Sequence, residues 1–289
     1  MATETKTDKG GEAKSYSLRT FNRTITSPDT QKYLNDLLHE RKGQFVNNLT
    51  ALVANNVNLQ ECEPYTLMFA ALKATALELP IEPSLGMAHV IPYKNKKRGI
   101  TEAQFQIGYK GFQQLALRTG QYKHINTTDV REGELVKRNR LTGQMEWNWI
   151  EDDEVRLKTP VIGYVNYFCL LNGFESTFYM SKEEMNAHAL RYSQTYKSNV
   201  AYIKEQSKWT TDFDAMALKT VIKLNLSKNG VLSTELQEAI RADQSVMHEE
   251  NKYEYTDNDA QAIVDAQKAA DVAKKFENFA DAEEVKDNK

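Results

Sequence analysis

Cysteine is scarce: the 289 residues hold only Cys62 and Cys169, more than a hundred positions apart in apolar company. This spacing excludes a disulfide scaffold and a cysteine-ligated zinc cluster, and it suits two buried thiols in a reducing compartment. With 6 prolines and 13 glycines, the chain is also no collagen-like or Pro-Gly low-complexity sequence. Long hydrophobic runs are missing: the most apolar stretch, Val161 to Leu171, is broken by Asn166 and is too short to span a bilayer. Residues 1–15 lack the apolar core of a signal peptide. The expectation is a soluble, cytoplasmic protein that does not engage a membrane.

Signatures of catalysis are equally sparse. No Gly-x-x-x-x-Gly-Lys-Ser/Thr loop is present, so nucleotide hydrolysis has no support. His39, His89, His124, His188 and His248 fall in separate segments without metal-ligand spacing. Pro28-Asp29 followed by Glu40-Arg41-Lys42 imitates a Mg²⁺-dependent nuclease motif, but one helix would hold the two carboxylates about 16 Å apart, too far to share an ion. The acidic run Glu151 to Glu154 reads as an exposed loop between strands. The sequence therefore predicts no catalytic residue, no cofactor and no metal.

What is present suffices for a folded core: 40% hydrophobic, 27% charged and 10% aromatic residues. Residues 1–26 are polar and read as a flexible arm. Ser27-Pro28 opens a helix expected to run to about Lys42, and further helical spacing follows after Gly43 and from Glu63-Pro64. After the Leu79 to Gly86 turn the apolar period approaches 2. Strands are expected over 87–93, 103–107, 122–131, 134–140, 144–150, 161–171 and 174–180, with Asn172-Gly173 as a hairpin turn. Ser181 to Glu184 forms a capping box, Thr211 to Asp214 resembles another, and a last helix covers Thr234 to Ala242. The class is α+β: an N-terminal helical lobe and a mostly antiparallel meander packed by helices, in one core over 27–246. Residues 247–289 form an acidic tail, linker-like over 246–258, with an amphipathic segment from Ala262 to Phe279 suited to docking a partner.

The overall charge of −3 hides two opposed segments. Twelve acidic residues against six lysines give the tail −6, which leaves +3 on the remainder. Between Lys94 and Arg140 eleven cations face only Glu102, Asp129, Glu132 and Glu134. Lys94, Lys96, Lys97 and Arg98 occupy a hairpin loop, either as a solvated turn or as an anion contact. Lys110, Gln114 and Arg118 recur at i, i+4, i+8 on one helical stripe behind Gly108 and Gly111, whose lack of bulk would let a phosphate approach the helix N-terminus. Lys219 and Lys223 stand one turn apart opposite Phe213 and Leu224, just beyond Lys208-Trp209. A solvated lysine face explains them equally, but the loop Arg191 to Asn199, with Arg191, Tyr192, Tyr196 and Lys197, interleaves cations and aromatics as a strand-binding surface does. Trp209 is a candidate either for base stacking or for the core, and Trp147 and Trp149 are core candidates.

Three blocks resemble the RecT family of single-strand annealing proteins of phages and prophages: Leu77 to Pro92, Ile107 to Phe112 with Arg118 to Gln121, and Lys208-Trp209 with Met216, Lys219 and Thr220. The resemblance implies ATP-independent binding of single-stranded DNA and annealing to a complementary strand during recombination, by rings or helical filaments of the protein. It also implies a partner exonuclease and the host single-strand binding protein as partners. On that reading Lys96, Lys97, Arg98, Tyr109, Lys110, Gln114, Arg118, Arg191, Lys197, Lys208, Trp209, Lys219 and Lys223 form the DNA-binding groove that holds the strand and the annealed duplex intermediate. A binding protein that protects single strands without pairing them, and the nuclease, are the alternatives.

Overall fold

Capping chemistry sets the first helices. Ser17 Oγ accepts the Thr20 N–H and Ser27 Oγ the Thr30 N–H, which opens α1 (Leu18–Ile25) and α2 (Pro28–Leu38). Helix α1 lies inside the stretch expected to be a flexible arm; Phe21 and Ile25, one turn apart, are buried and anchor it. Helix α2 stops short of the expected Lys42 because His39 takes φ 49°, and a 3-10 turn, His39–Arg41, leads into α3 (Lys42–Ala54). Asn56 caps α4 (Val57–Gln60), and Pro64 begins the mostly buried α5 (Pro64–Ala76).

The computed structural model describes residues 16–95, 98–193, 195–205, 207–249 and 252–255. After α5 come β1 (Ala88–Asn95), β2 (Ile100–Ile107), α6 (Tyr109–Arg118), β3 (Tyr122–Arg131), β4 (Leu135–Arg138), β5 (Met145–Trp147), α7 (Asp153–Lys158), β6 (Val161–Leu170) and β7 (Glu175–Ser181). The chain continues with α8 (Lys182–Tyr192), α9 (Ala201–Glu205), α10 (Lys208–Thr211), α11 (Phe213–Asn229), α12 (Thr234–Ala242), β8 (Ser245–Glu249) and β9 (Lys252–Tyr255). The class is α+β, as the sequence predicts.

Two compact units contain these elements. One takes the chain up to Ala76 together with Val90–Phe105 and Val246–Glu254; the other takes Leu77–His89 and Gln106–Ser245. In the first, Leu34, Leu49, Val53, Leu67 and Ala71 pack between helices. Thr66 Oγ1 accepts the Ala103 N–H at 2.9 Å and so ties α5 to β2. Strand order in the four-stranded sheet is β1-β2-β8-β9. Its last two strands, over 245–249 and 252–255, fall in the stretch expected to be a linker: Val246 and Met247 are buried, a role that the polar residues around them hid. The amphipathic segment Ala262 to Phe279 lies outside the described residues.

In the second unit, β3, β6 and β7 form an antiparallel sheet in that order, with Thr127 opposite Asn166 and Asn166 opposite Phe178. Asn172-Gly173 turns β6 into β7, with Gly173 at φ 86°. Both bonds of the Ser181–Glu184 capping box form. The second expected box does not: Thr211 ends α10, α11 starts at Phe213, and Asp214 accepts instead from the Tyr164 hydroxyl at 2.5 Å. The acidic run expected as a loop supplies Asp152 as the cap of α7, where carboxylates complement the helix N-terminus. Trp147 packs toward Tyr179, whereas Trp149, expected in the core, is 42% exposed and stacks on Trp147 at 5.1 Å.

Helix α11 packs against both α6 and the three-stranded sheet. Its buried residues consequently run around most of the helix: Ala217, Lys219, Thr220, Val221, Ile222, Asn225 and Leu226. On the sheet side Asn225 Nδ2 donates to Asn166 Oδ1 at 2.7 Å, and its Oδ1 accepts from Ser176 Oγ at 2.7 Å, which satisfies polar groups buried in the sheet.

Candidate nucleic-acid interface

The second unit holds residues of all three sequence blocks, the first of them as far as His89. Between α5 and β1 the chain turns through a short 3-10 segment, Pro83–Leu85, and Gly86 at φ 64°. Arg118, at the end of α6, clasps the start of this turn: its Nη1 and Nη2 donate at 2.8 Å to the carbonyls of Leu77 and Glu78. The guanidinium expected to hold a phosphate is thus engaged in holding backbone. At the other end of α6 the glycines serve close packing. A Cβ on Gly108 would stand 2.1 Å from the Gly86 oxygen, and one on Gly111 would stand 2.2 Å from the Met87 oxygen. Gly108 donates its N–H to Met87 at 2.9 Å, so the space expected for a phosphate at this helix start is taken by the turn. Lys110 stays exposed beside Gly86, with Tyr109 and Gln114 half-buried on the same helix.

The lysine pair on α11 meets a buried carboxylate. Lys219 Nζ donates to Asp243 Oδ1 at 2.9 Å and Lys223 Nζ to Oδ2 at 2.7 Å; the Ile107 N–H donates to Oδ1 at 2.9 Å. The Asp243 side chain is fully buried, Lys219 is 7% exposed and Lys223 is 22% exposed. Two ammonium groups and one amide outweigh the cost of burial, and they hold the Asp243 carboxyl down at about 2. Burial dominates at Lys219 and pulls its pKa below the ordinary lysine value. Lys219 is therefore an internal ion-pair partner and not part of a solvated lysine face. Two cations on one anion still leave an excess positive charge, and Lys223 is the member that reaches solvent.

His89 lies against the glycine turn. Its Nε2 lies 3.2 Å from where a Gly108 Cβ would stand, and burial together with the fields of Lys219 and Lys208 lowers its pKa, so the imidazole is neutral at pH 7. Sequence reasoning passed over both His89 and Asp243. The Leu77 to Pro92 block contains His89, but nothing in the chain pairs Asp243 with residues 20 and 24 positions earlier.

Lys208, Arg191 and Lys197 are exposed, in segments that also carry aromatic residues. Tyr196 lies 6.4 Å from Trp209 between ring centroids and donates its hydroxyl to Asn186 Oδ1 at 2.8 Å. Arg191 lies over the Tyr192 ring at 5.1 Å. Trp209 itself is 7% exposed, packed with Tyr164, Met185, Ala189 and Val221, so it is core and not a stacking platform.

In the first unit Arg98 is likewise committed. Its Nη1 donates to Glu102 Oε1 at 2.5 Å, contacts His248 Nδ1 at 3.0 Å and lies 3.5 Å from Glu63 Oε2. The fold thus gathers Glu63, Glu102 and His248, which lie far apart in sequence, around a guanidinium that supplies the local positive charge. Lys96 and Lys97 lie outside the described residues.

A family model described as the RecT family matches residues 43–284. The uncharacterized protein YqaK of Bacillus subtilis (strain 168) is 42% identical over 216 residues, which is 75% of this chain and 69% of YqaK. Protein RecT of Escherichia coli (strain K12) is 27% identical over 188 residues, 64% of this chain and 65% of that protein. The chain spans about two thirds of the length of each of these relatives.

Proposed function

Because the chain belongs to the RecT family, we propose that it binds single-stranded DNA and anneals it to a complementary strand in homologous recombination, without ATP and without bond-breaking chemistry. The observation that supports this reading is that residues of all three blocks lie in one unit, with Lys110 beside Gly86 and with Lys219 and Lys223 on Asp243, while Lys208 is exposed just before α11. Lys110, Lys208 and Lys223 present charge to solvent there, and Arg191 and Lys197 extend it. Cations that contact phosphates release counterions and leave base edges free, so a held strand can be tested by a second strand. Specificity then comes from base pairing. Neutralising the polyanion also removes the repulsion that slows two strands from meeting.

On this reading subunits assemble along one strand into a ring or helical filament. Net-positive surfaces repel until DNA neutralises them, and a shared strand then raises the local concentration of neighbours. The acidic tail recruits host single-strand binding protein or a partner exonuclease in the bacterial cytoplasm. Among the described residues no helix is long and apolar enough to cross a membrane.

The test follows two complementary oligonucleotides in EDTA without nucleotide. Accelerated duplex formation is the expected result. Binding without pairing would reduce the protein to a protective single-strand binder, and strand cleavage appearing only when Mg²⁺ is restored would make it a nuclease.

A further inference from the structure

We infer that Asp243 is a positioning residue for DNA binding: it holds the Lys223 ammonium at the surface and locks it to the end of β2, where the Gly108 turn and α6 begin. The inference rests on the annealing reading above. Asp243 follows α12, Lys223 lies on α11, and the Ile107 N–H belongs to the last residue of β2, so one carboxylate joins three segments distant in sequence. Asp243 contributes no charge that DNA would seek. Its anion repels phosphate, and a surface built only for attraction would exclude it. It is nonetheless fully buried with both oxygens engaged: Oδ1 takes the Ile107 N–H and Lys219, and Oδ2 takes Lys223.

The division of labour follows from exposure. Lys219, nearly fully buried, offsets the charge of Asp243 internally; Lys223 is left as the surplus cation, with one of its three donors engaged by Oδ2 and its side chain partly open to solvent. A lysine on a flexible four-carbon stem ordinarily loses much rotamer freedom when it grips a phosphate. Here that ordering is complete before DNA arrives. Because the same carboxylate holds the Ile107 amide, the position of Lys223 is also tied to the segment that carries Lys110.

The inference makes a prediction opposite in sign to simple electrostatics. Asp243→Asn adds one positive charge to the site, so charge alone calls for tighter binding and a steeper salt dependence. Positioning calls for the reverse. Affinity of the full chain for a fluorescent oligothymidylate is measured across a salt series for wild type, Lys223→Ala, Asp243→Asn and the double variant, each checked for folding by circular dichroism. Loss of one single-strand phosphate contact flattens the log-affinity against log-salt slope by about 0.7, which is about fourfold in affinity at 0.15 M salt. The expected result is that loss for Lys223→Ala, a similar loss for Asp243→Asn, and little further loss when both are combined. If Lys223→Ala weakens binding but Asp243→Asn leaves it equal or tighter, the positioning role is overturned while the groove stands. If Lys223→Ala and Lys110→Ala both leave affinity and slope unchanged, the groove reading fails and takes this inference with it. Should Asp243→Asn not fold, Lys219→Met with Asp243→Asn keeps the net charge of the site and still removes the partner of Lys223. Weakened binding is then expected, and wild-type binding would overturn the role.

Discussion

The carbonyl oxygen of Met87 sits 2.2 Å from the place where a Cβ on Gly111 would stand. Turn and helix therefore meet backbone to backbone. Gly111→Ala must displace a main-chain atom, and a loss of about 1–3 kcal/mol is expected in urea unfolding. Gly43, inside α3 with nothing within 4 Å, is the control: Gly43→Ala should stabilise by about 0.5–1 kcal/mol. Equal effects of the two substitutions would show that the turn does not pack on α6 in this way.

Arg98 and Lys110 should separate stability from DNA binding. Arg98→Ala removes the guanidinium from the fully buried Glu102, which keeps Asn95 Nδ2 at 2.9 Å and His248 Nε2 at 3.6 Å, so it should cost about 1–3 kcal/mol of stability while the salt slope of DNA binding stays unchanged. Lys110→Ala, at an exposed site, should preserve stability and flatten the slope by about 0.7. Unfolding curves and salt titrations on both variants decide the assignment.

Trp209→Ala should cost about 3–5 kcal/mol, the range for an aromatic core truncation. Trp209→Phe should restore much of that and bind oligonucleotides like wild type. A folded Trp209→Phe protein with sharply weakened binding would return this ring to the DNA interface.

Acid should weaken the second unit through Asp243. Its carboxyl pKa is lowered from 3.8 to about 2 in the folded chain, so its stabilisation is complete above the unfolded value and is lost as pH falls from about 4 toward about 2. Urea unfolding between pH 5 and pH 2 should show a smaller loss in Asp243→Asn than in wild type, and equal slopes would contradict the assignment.

Truncation should respect β8. A chain ending at Val246 loses the strand in which Val246 and Met247 are buried, and it should be less stable. A chain ending after Thr256 should fold, bind and anneal oligonucleotides as the full chain does, and lose only recombination in cells if the tail recruits a partner. Loss of annealing by this longer chain would place the tail in the core mechanism.

Several features of this protein follow from its sequence alone because their causes are local. The α+β class, the Asn172-Gly173 hairpin, the Ser181–Glu184 capping box and the span of α12 each depend on residues within one turn or one strand of each other. The three family blocks and the exposed Lys110 and Lys208 were legible for the same reason. Tertiary structure decided which cations are available. Helical spacing put Lys219 and Lys223 on one face of α11 but could not register that α6 packs on that helix as well as the sheet, or that Asp243 arrives there from the end of α12. Nor could it show that Arg118 bonds the carbonyls of Leu77 and Glu78, or that Glu63, Glu102 and His248 converge on Arg98. A buried charge requires a partner, and in a folded chain that partner is chosen by proximity in space, which one-dimensional spacing does not encode.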